Sequence, residues 1–266
     1  MAERRAGKDR TSRVVMLSGG AGSWGAARRT VERHGRKGLT LLFADTLIED
    51  DDLYRFVLEA ASNLTGRQVP PGLLARTVAI PSLGESRHRR RHLLALGAEA
   101  SEWCPELEWV TAEGRHSLKR CFMLRWLQEH CDPAVTVAVL SHDRSVIHRL
   151  ERAQRQWKPW RVEAPLCEAP HLSKQEVIDW MGAEGLAPPR LHKEGFQHSN
   201  CGSFCASGGQ ASYARLLRRH PDRYRYDKRH GRQLRCRLSK DIAIGRDRRG
   251  AACCDRRDPQ QKEGQE

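Results

Sequence analysis

The sequence predicts an α/β domain with a mainly parallel, doubly wound sheet, followed by a helical extension that carries cysteines. The first observation is a short apolar run, residues 14–17, that ends abruptly in glycines before a helix-like segment, 26–34. The second is another apolar run, 39–44, followed by an acidic helix start at 49–52. Strand, glycine turn, helix, strand and helix in this order are typical of a parallel sheet.

The rest of the chain divides into predicted elements on the same basis. Further strands are predicted at 76–80, 134–140 and 160–166, and helices at 116–130 and 210–219. Ser173 and Glu176 form the capping-box pattern of one more helix start. The face of the helix after 49–52 is predicted to bury Leu53, Phe56, Val57, Ala60 and Ala61. We place a basic tail at 1–12, the α/β domain at 13–190, the extension at 191–250 and a disordered tail at 251–266.

Composition limits the classes of protein and partner. A chain of 266 residues can bury a full core, and no apolar segment is long enough to cross a bilayer. Residues 1–13 lack the apolar stretch of a secretory signal, so a cytoplasmic location is expected. Nine irregularly spaced cysteines fit thiols, a metal or a cluster better than a disulfide framework. The formal charge of +14 favours an anionic partner, either a nucleotide or a nucleic acid, or simply a solvated basic surface.

The glycine turn after the first predicted strand has the features of an anion-binding site. Gly19, Gly20 and Gly22 allow close approach of the backbone to a ligand, and the following helix directs free N–H groups at the turn. The turn lacks the Lys-Ser/Thr ending of a Walker A loop and the spacing of a dinucleotide-binding fingerprint. An ordinary glycine turn is the alternative.

This turn resembles the PP-loop, S-G-G-x-x-S, of the adenine nucleotide alpha hydrolase superfamily, which includes phosphoadenosine phosphosulfate (PAPS) reductases. Ser18, Gly19, Gly20 and Ser23 match, whereas the family often has Asp where this chain has Gly22. The resemblance implies an adenine nucleotide (ATP, AMP or PAPS) with its phosphates on the turn. The residues expected to bind it there are Ser18, Gly19, Gly20, Ala21, Gly22, Ser23 and Trp24.

Two other predicted strand ends add polar residues to the same edge of the sheet. Ligands of parallel sheets bind beyond the carboxyl ends of the strands. In PAPS reductase-like proteins an Asp-Thr pair there helps to hold the adenosine, and Asp45 and Thr46 match it. The alternative for Asp45 is a helix N-cap. Asp143 and Arg149 are the nearest equivalents of the family's residues beside the phosphate or sulfate. The alternative is that the arginines of this segment line an exposed helix face.

A second stretch, 195–205, carries Cys201 and Cys205 four residues apart, with His198 nearby. Zinc sites usually use C-x-x-C spacing and iron–sulfur clusters need four thiolates, so further ligands would have to come from elsewhere. The candidates for those ligands are Cys104, Cys121 and Cys167. The stretch resembles the H-x-N-C-G-x-F-C segment of the PAPS reductase-like family, which implies that Cys201 or Cys205 is a catalytic nucleophile or holds a cluster or zinc. Buried, inert cysteines are the alternative.

Residues 82–115 lack a clear pattern, with a basic cluster at 87–92 and an aperiodic run at 102–106. The PAPS reductase-like family has a Cys-Ser pair shortly before the helix that matches 116–130, and this chain has no such pair there. We infer a divergent segment or a local change of reading frame.

The sequence thus supports two hypotheses. One is an adenine-nucleotide-binding, PAPS reductase-like enzyme of sulfur or nucleotide-phosphate chemistry, of reductase or sulfurtransferase type. The other is a catalytically degenerate accessory protein that binds nucleotide or nucleic acid. Both leave a homo-oligomer open, and neither requires a membrane.

Overall fold

The structure, a computed structural model, describes residues 11–45, 49–69, 107–111, 119–196 and 210–225. Its centre is a five-stranded sheet in the order β3-β2-β1-β4-β5, and each pair of neighbouring strands is parallel. The strands are β1 (Ser12–Leu17), β2 (Leu39–Asp45), β3 (Leu107–Thr111), β4 (Thr136–Val139) and β5 (Arg161–Glu163). The α/β class and the parallel sheet predicted from the sequence are confirmed.

Helices connect the strands. The described α-helices are α1 (Ala21–His34), α2 (Asp51–Thr65), α3 (Lys119–His130), α4 (Leu150–Gln156), α5 (Lys174–Ala183), α6 (Arg190–Lys193) and α7 (Gln210–Arg219). Two 3₁₀ helices, Arg144–Arg149 and Pro165–Cys167, follow β4 and β5. No helix in these ranges combines the length and apolar character needed to span a membrane.

Alternate residues of the strands point to opposite layers of helices. Val15 and Leu17 of β1 belong to a core shared with α1, α2 and α5, whereas Val14 and Met16 belong to a second core shared with α3 and α4. Since side chains alternate along a strand, a sheet that is apolar on both faces must be covered on both. The five residues predicted to form the buried face of α2 are all fully buried.

Several predicted boundaries are corrected. Helix α1 begins at Ala21 and not at residue 26, so the glycine turn is shorter than expected. The apolar segment predicted as a strand at 160–166 forms strand only over Arg161–Glu163, because Pro165 starts a 3₁₀ helix. Strand β3 lies in the segment where the sequence showed no pattern. The strand predicted at 76–80 lies outside the described residues.

The C-terminal part of the described chain forms a small core of its own. Leu191, Phe196, Tyr213, Leu216 and Tyr224 are buried together. The helix predicted at 210–219 is confirmed as α7. These residues flank the segment 197–209, which lies outside the described residues and contains Cys201 and Cys205.

Candidate functional site

The order of the strands determines where a ligand is expected. The chain builds outward from β1 to β2 and β3, and then returns to place β4 on the other side of β1. The strand order therefore reverses between β1 and β4, and in open α/β sheets ligands bind at such a point, beyond the carboxyl ends of the strands. Residues 18–22, after β1, and 141–143, after β4, lie at this point, and we call them the switch-point edge.

The glycine turn after β1 is held in a conformation that only glycine adopts easily. Gly19 has a φ of +76°, and a Cβ built on it would lie 2.7 Å from side-chain atoms of Leu53. Both the backbone dihedral and the contact with α2 therefore require glycine. Gly20 is the N-cap residue of α1.

The Ser23 side chain forms hydrogen bonds with the main chain of the glycine turn. Its hydroxyl donates to the main-chain oxygen of Gly20 at 2.8 Å, and the N–H of Gly20 donates back to the Ser23 Oγ at 3.3 Å. Ser23 is only 1% exposed. The hydroxyl therefore stabilises the helix start, and its contribution to a ligand site is to fix the backbone.

Trp24 lies in the core. Its indole N–H donates to Asn63 Oδ1 at 3.1 Å, and its ring meets that of Trp180 edge-on at 5.1 Å. The side chain thus packs α1 against α2 and α5, on the side of α1 away from solvent. Only its main chain belongs to the first turn of the helix.

The first turn of α1 has main-chain donors to offer. Among the described residues we find no hydrogen-bond acceptor for the N–H groups of Ala21 and Gly22, as is usual at a helix start. A Cβ built on Gly22 would have the main-chain oxygen of Ser141 as its nearest neighbour, at 3.9 Å. The first turn of the helix is therefore close to the loop after β4 without being packed tightly against it. These donors and the positive end of the helix dipole suit an anion.

Asp45 is the last residue of β2 and is fully buried. Its carboxylate accepts a hydrogen bond of 2.9 Å from the Tyr54 hydroxyl. The alternative interpretation of Asp45 as a helix N-cap is wrong, because Asp50 caps α2 by accepting from the N–H of Asp52 at 3.1 Å. Thr46 lies outside the described residues.

The loop after β4 carries Asp143 and Arg149 in different roles. Asp143 caps the 3₁₀ helix, accepting from the N–H of Ser145 at 2.9 Å and from its hydroxyl at 2.5 Å. Arg149, at the end of that helix, is exposed. The capping role of Asp143 accounts for that carboxylate without a ligand, and the exposure of Arg149 agrees with the alternative of a solvated basic face.

His142 and Cys167 lie together at the switch-point edge. The Cys167 thiol donates to the His142 main-chain oxygen at 3.3 Å, and the Nδ1 atom of His142 is buried with no hydrogen-bond partner among the described residues. Burial, and next the charge of Arg149, lower the pKa of His142. Burial, with a smaller effect from Asp143, raises the pKa of Cys167. At neutral pH the pair is therefore an uncharged imidazole and a thiol.

From the sequence, Cys167 is a candidate only for a further metal or cluster ligand, and no pattern singles out His142. No sequence motif could have joined the two, because β5 separates them along the chain and only the sheet brings them together. Arg29 of α1 holds the segment that carries Cys167 by donating to the main-chain oxygens of Pro165 at 2.9 Å and Glu168 at 3.0 Å.

An ion-pair junction connects the C-terminal unit to the start of α2. The Asp50 carboxylate is buried and accepts from Arg190 at 2.8 Å and from Arg223 at 3.3 Å. Arg223 also donates to the main-chain oxygen of Glu49 at 3.3 Å. Since α2 begins beyond the carboxyl end of β2, the C-terminal unit is attached on the side of the sheet where ligands are expected.

A metal site would have to use residues beyond those described. Within the described ranges no three His, Cys, Asp or Glu side chains are grouped to hold a metal ion. Cys167, suggested as a further ligand, instead donates its S–H to a main-chain oxygen. Cys201 and Cys205 lie outside the described residues, as do Cys104 and the side chain of Cys121.

Comparisons of this chain with protein-family models, with curated proteins and with solved structures found no match.

Proposed function

We propose that this protein binds an adenine nucleotide at the switch-point edge and acts as a PAPS reductase-like enzyme in sulfur or nucleotide-phosphate chemistry, of reductase or sulfurtransferase type. The observation that supports it best is the first turn of α1, whose N–H groups at Ala21 and Gly22 are available at the point where the strand order reverses. The phosphates of ATP, AMP or PAPS would accept hydrogen bonds from these groups.

Main-chain donors can also assist a reaction there. Charge that develops on a phosphoryl or sulfuryl oxygen is stabilised by N–H groups that are already oriented, without the need for a lysine. In this proposal Asp45 and Thr46 lie beside the adenosine, and Asp143 and Arg149 beside the phosphate or sulfate. Cys201 or Cys205 supplies the nucleophile or a thiolate for a cluster or zinc, as the family resemblance suggests.

Substitution of Gly22 tests directly whether the first turn of α1 binds the phosphates; we call this site, at Ala21 and Gly22, the phosphate seat. We expect Gly22→Asp to weaken binding of ATP, AMP or PAPS about tenfold in the absence of divalent cations, because the carboxylate would repel the phosphates. The matched control is Gly22→Asn, which has the same shape without the charge and should bind within about twofold of the original protein. Isothermal calorimetry on the full chain measures both. Equal affinities for the Asp and Asn variants would contradict the phosphate seat.

His142 provides a second readout of the same site. An anion bound at the switch-point edge would favour the imidazolium form and so raise the lowered pKa of His142. NMR titration of the His142 ring with and without nucleotide measures that change. A pKa that does not move when nucleotide is bound would place the nucleotide elsewhere.

The second candidate function is a nucleotide-binding or nucleic-acid-binding accessory protein without turnover. It is favoured by Gly22, because the position has room for the aspartate that the family often carries and yet supplies no carboxylate. The two candidates differ in the effect of Cys201→Ser, which should abolish turnover in an enzyme and leave nucleotide affinity unchanged in an accessory protein. The iron and zinc content of the purified protein provides an independent comparison.

A further inference from the structure

A basic surface runs along the outside of the segment 144–161, which comprises the 3₁₀ helix Arg144–Arg149, α4 and the start of β5. The segment contains six Lys and Arg side chains and one carboxylate, Glu151, which gives a formal net charge of +5. The six basic side chains are all exposed: Arg144, Arg149, Arg152, Arg155, Lys158 and Arg161. We call this surface the 144–161 face.

Packing of the segment's apolar residues against the core keeps the 144–161 face exposed to solvent. Ala153, Trp157 and Trp160 are buried at 6%, 6% and 4% exposure and pack in the core beneath the sheet. Because these apolar residues fix the inner side of the segment, the basic residues between them must point to solvent. The direction of the charges is therefore set by the core and does not depend on the basic side chains themselves.

Three basic side chains of this face have no neighbouring carboxylate among the described residues, whereas Arg161 lies 3.7 Å from a carboxylate oxygen of Glu163. None of the described carboxylates lies within ion-pair distance of Arg152, Arg155 or Lys158. Arginines on other elements behave differently. Arg28 pairs with Glu184 at 2.6 Å, and Arg55 pairs with Asp52 at 2.6 Å. A row of unpaired cations repels itself, so an extended anion would be bound favourably.

The length of the face distinguishes a polymer from a small anion. Laid end to end, the 3₁₀ helix and α4 would extend over at most about 20 Å. One strand of a nucleic acid carries a phosphate for about every 3.4 Å of axis, so on the order of six phosphates could lie along the face. A membrane fits less well, because interfacial helices expose an apolar side and the apolar side of α4 is already in the core. Ile147, 48% exposed, is available for contact with a sugar or base.

We propose that the 144–161 face binds the phosphodiester backbone of a nucleic acid without regard to its sequence. One end of the face begins at Arg144, directly after the switch-point edge, so a bound strand would lead toward that edge. The binding surface does not depend on whether an adenine nucleotide occupies the edge.

The test compares two triple variants that remove the same charge. Arg152→Gln, Arg155→Gln and Lys158→Gln are combined in one, and Lys37→Gln, Arg218→Gln and Arg219→Gln in the control, whose residues are exposed elsewhere in the described chain. Fluorescence anisotropy with 20-nucleotide single-stranded DNA, single-stranded RNA and duplex DNA is measured over a range of salt concentrations. If each residue contacts one phosphate, the slope of log affinity against log salt should fall by about two for single strands and about three for the duplex. The three probes show which form of nucleic acid is preferred.

Three outcomes would overturn the proposal. The first is an equal change of slope in both triple variants, and the second is no change in either. The third is binding of polyglutamate or of vesicles with anionic lipid as tight as that of the nucleic acids. Protection of Lys158 from acetylation by bound nucleic acid, with Lys37 as the reference, supports the proposal without any substitution. ATP binding by calorimetry should stay unchanged in the 152/155/158 variant, so failure of this proposal is distinguishable from failure of the nucleotide site.

Discussion

Gly19 is the residue on which the shape of the glycine turn depends most directly. Its positive φ is costly for any other residue, and its hydrogen atoms leave room for Leu53. The surrounding matches to the PP-loop pattern act through the backbone. Ser23, which looks from the sequence like a ligand contact, is buried and bonded to Gly20. What the described turn has available for a ligand is therefore its main-chain donors.

We expect Gly19→Ala to lower the free energy of unfolding by about 2–3 kcal/mol, combining the cost of a positive φ with a clash. The control is Gly66→Ala, where φ is +74° and the nearest atoms, of the Arg36 guanidinium, lie at 3.7 Å, an ordinary van der Waals distance. That variant should lose about 1 kcal/mol. Chemical denaturation measures both. Equal losses would mean that the contact with Leu53 carries no cost.

At the scale of elements, helix α5 shows how a local signal in the sequence becomes structure. Ser173 caps the helix by accepting from the N–H of Glu176 at 3.2 Å, and the Glu176 carboxylate accepts from the Ser173 N–H at 2.7 Å. The predicted capping box is confirmed. The helix then buries Val177 and Met181 against α1. Gly25 of α1 lies under this contact, since a Cβ there would be 2.8 Å from Val177.

Ser173→Ala should lower the free energy of unfolding by about 1 kcal/mol at pH 7, because the first turn of α5 loses its side-chain acceptor. Ser173→Asp keeps an acceptor and should recover most of that loss. Thermal and urea denaturation give the comparison. A loss of the same size in both variants would contradict the role of the cap.

The same capping box should depend on pH. The main-chain N–H of Ser173, followed by its side chain, lowers the pKa of Glu176. A lowered carboxyl pKa adds stability that is present above the ordinary value and is lost as the pH falls through the folded value. The difference in stability between the original protein and Glu176→Gln should therefore shrink between pH 6 and pH 3.

At the scale of the whole molecule, Asp50 joins two units that each have a core. The α/β sheet and its helices form one, and the cluster around Leu216 and Phe196 forms the other. Asp50 accepts from Arg190 and Arg223, which lie before and after the segment 197–209. The two arginines thus hold both flanks of that segment near the start of α2.

We expect Asp50→Asn to keep the helix cap and to lose the ion pairs. Breaking a fully buried pair costs about 3–5 kcal/mol, and partial exposure of both arginines should reduce this to about 2 kcal/mol. Limited proteolysis should become faster between residues 190 and 225. Asp222→Asn is the control, because its pair with Arg225 is exposed and should contribute less than about 0.5 kcal/mol. If proteolysis of the two variants were equally fast, Asp50 would not be the attachment point.

Elements with local signals could be predicted from the amino-acid sequence. The apolar runs that form β1 and β2, the glycines between strand and helix, and the Ser173 cap depend on residues a few positions apart, so they could be predicted. The position of Asp45 at a strand end followed from the same patterns. Strand β3 was not predicted, because its main-chain hydrogen bonds are made with β2, which lies far away in the chain.

Which of these elements are neighbours follows from the packing of the folded chain. The placement of β4 beside β1 creates the switch-point edge and brings His142 to Cys167, and the burial of Ala153, Trp157 and Trp160 leaves the basic side chains around them at the surface. Such contacts arise from the burial of apolar surface on both faces of the sheet, which depends on the whole chain at once. A linear motif can specify a turn, but the neighbours of that turn depend on the packing of the sheet and its helices.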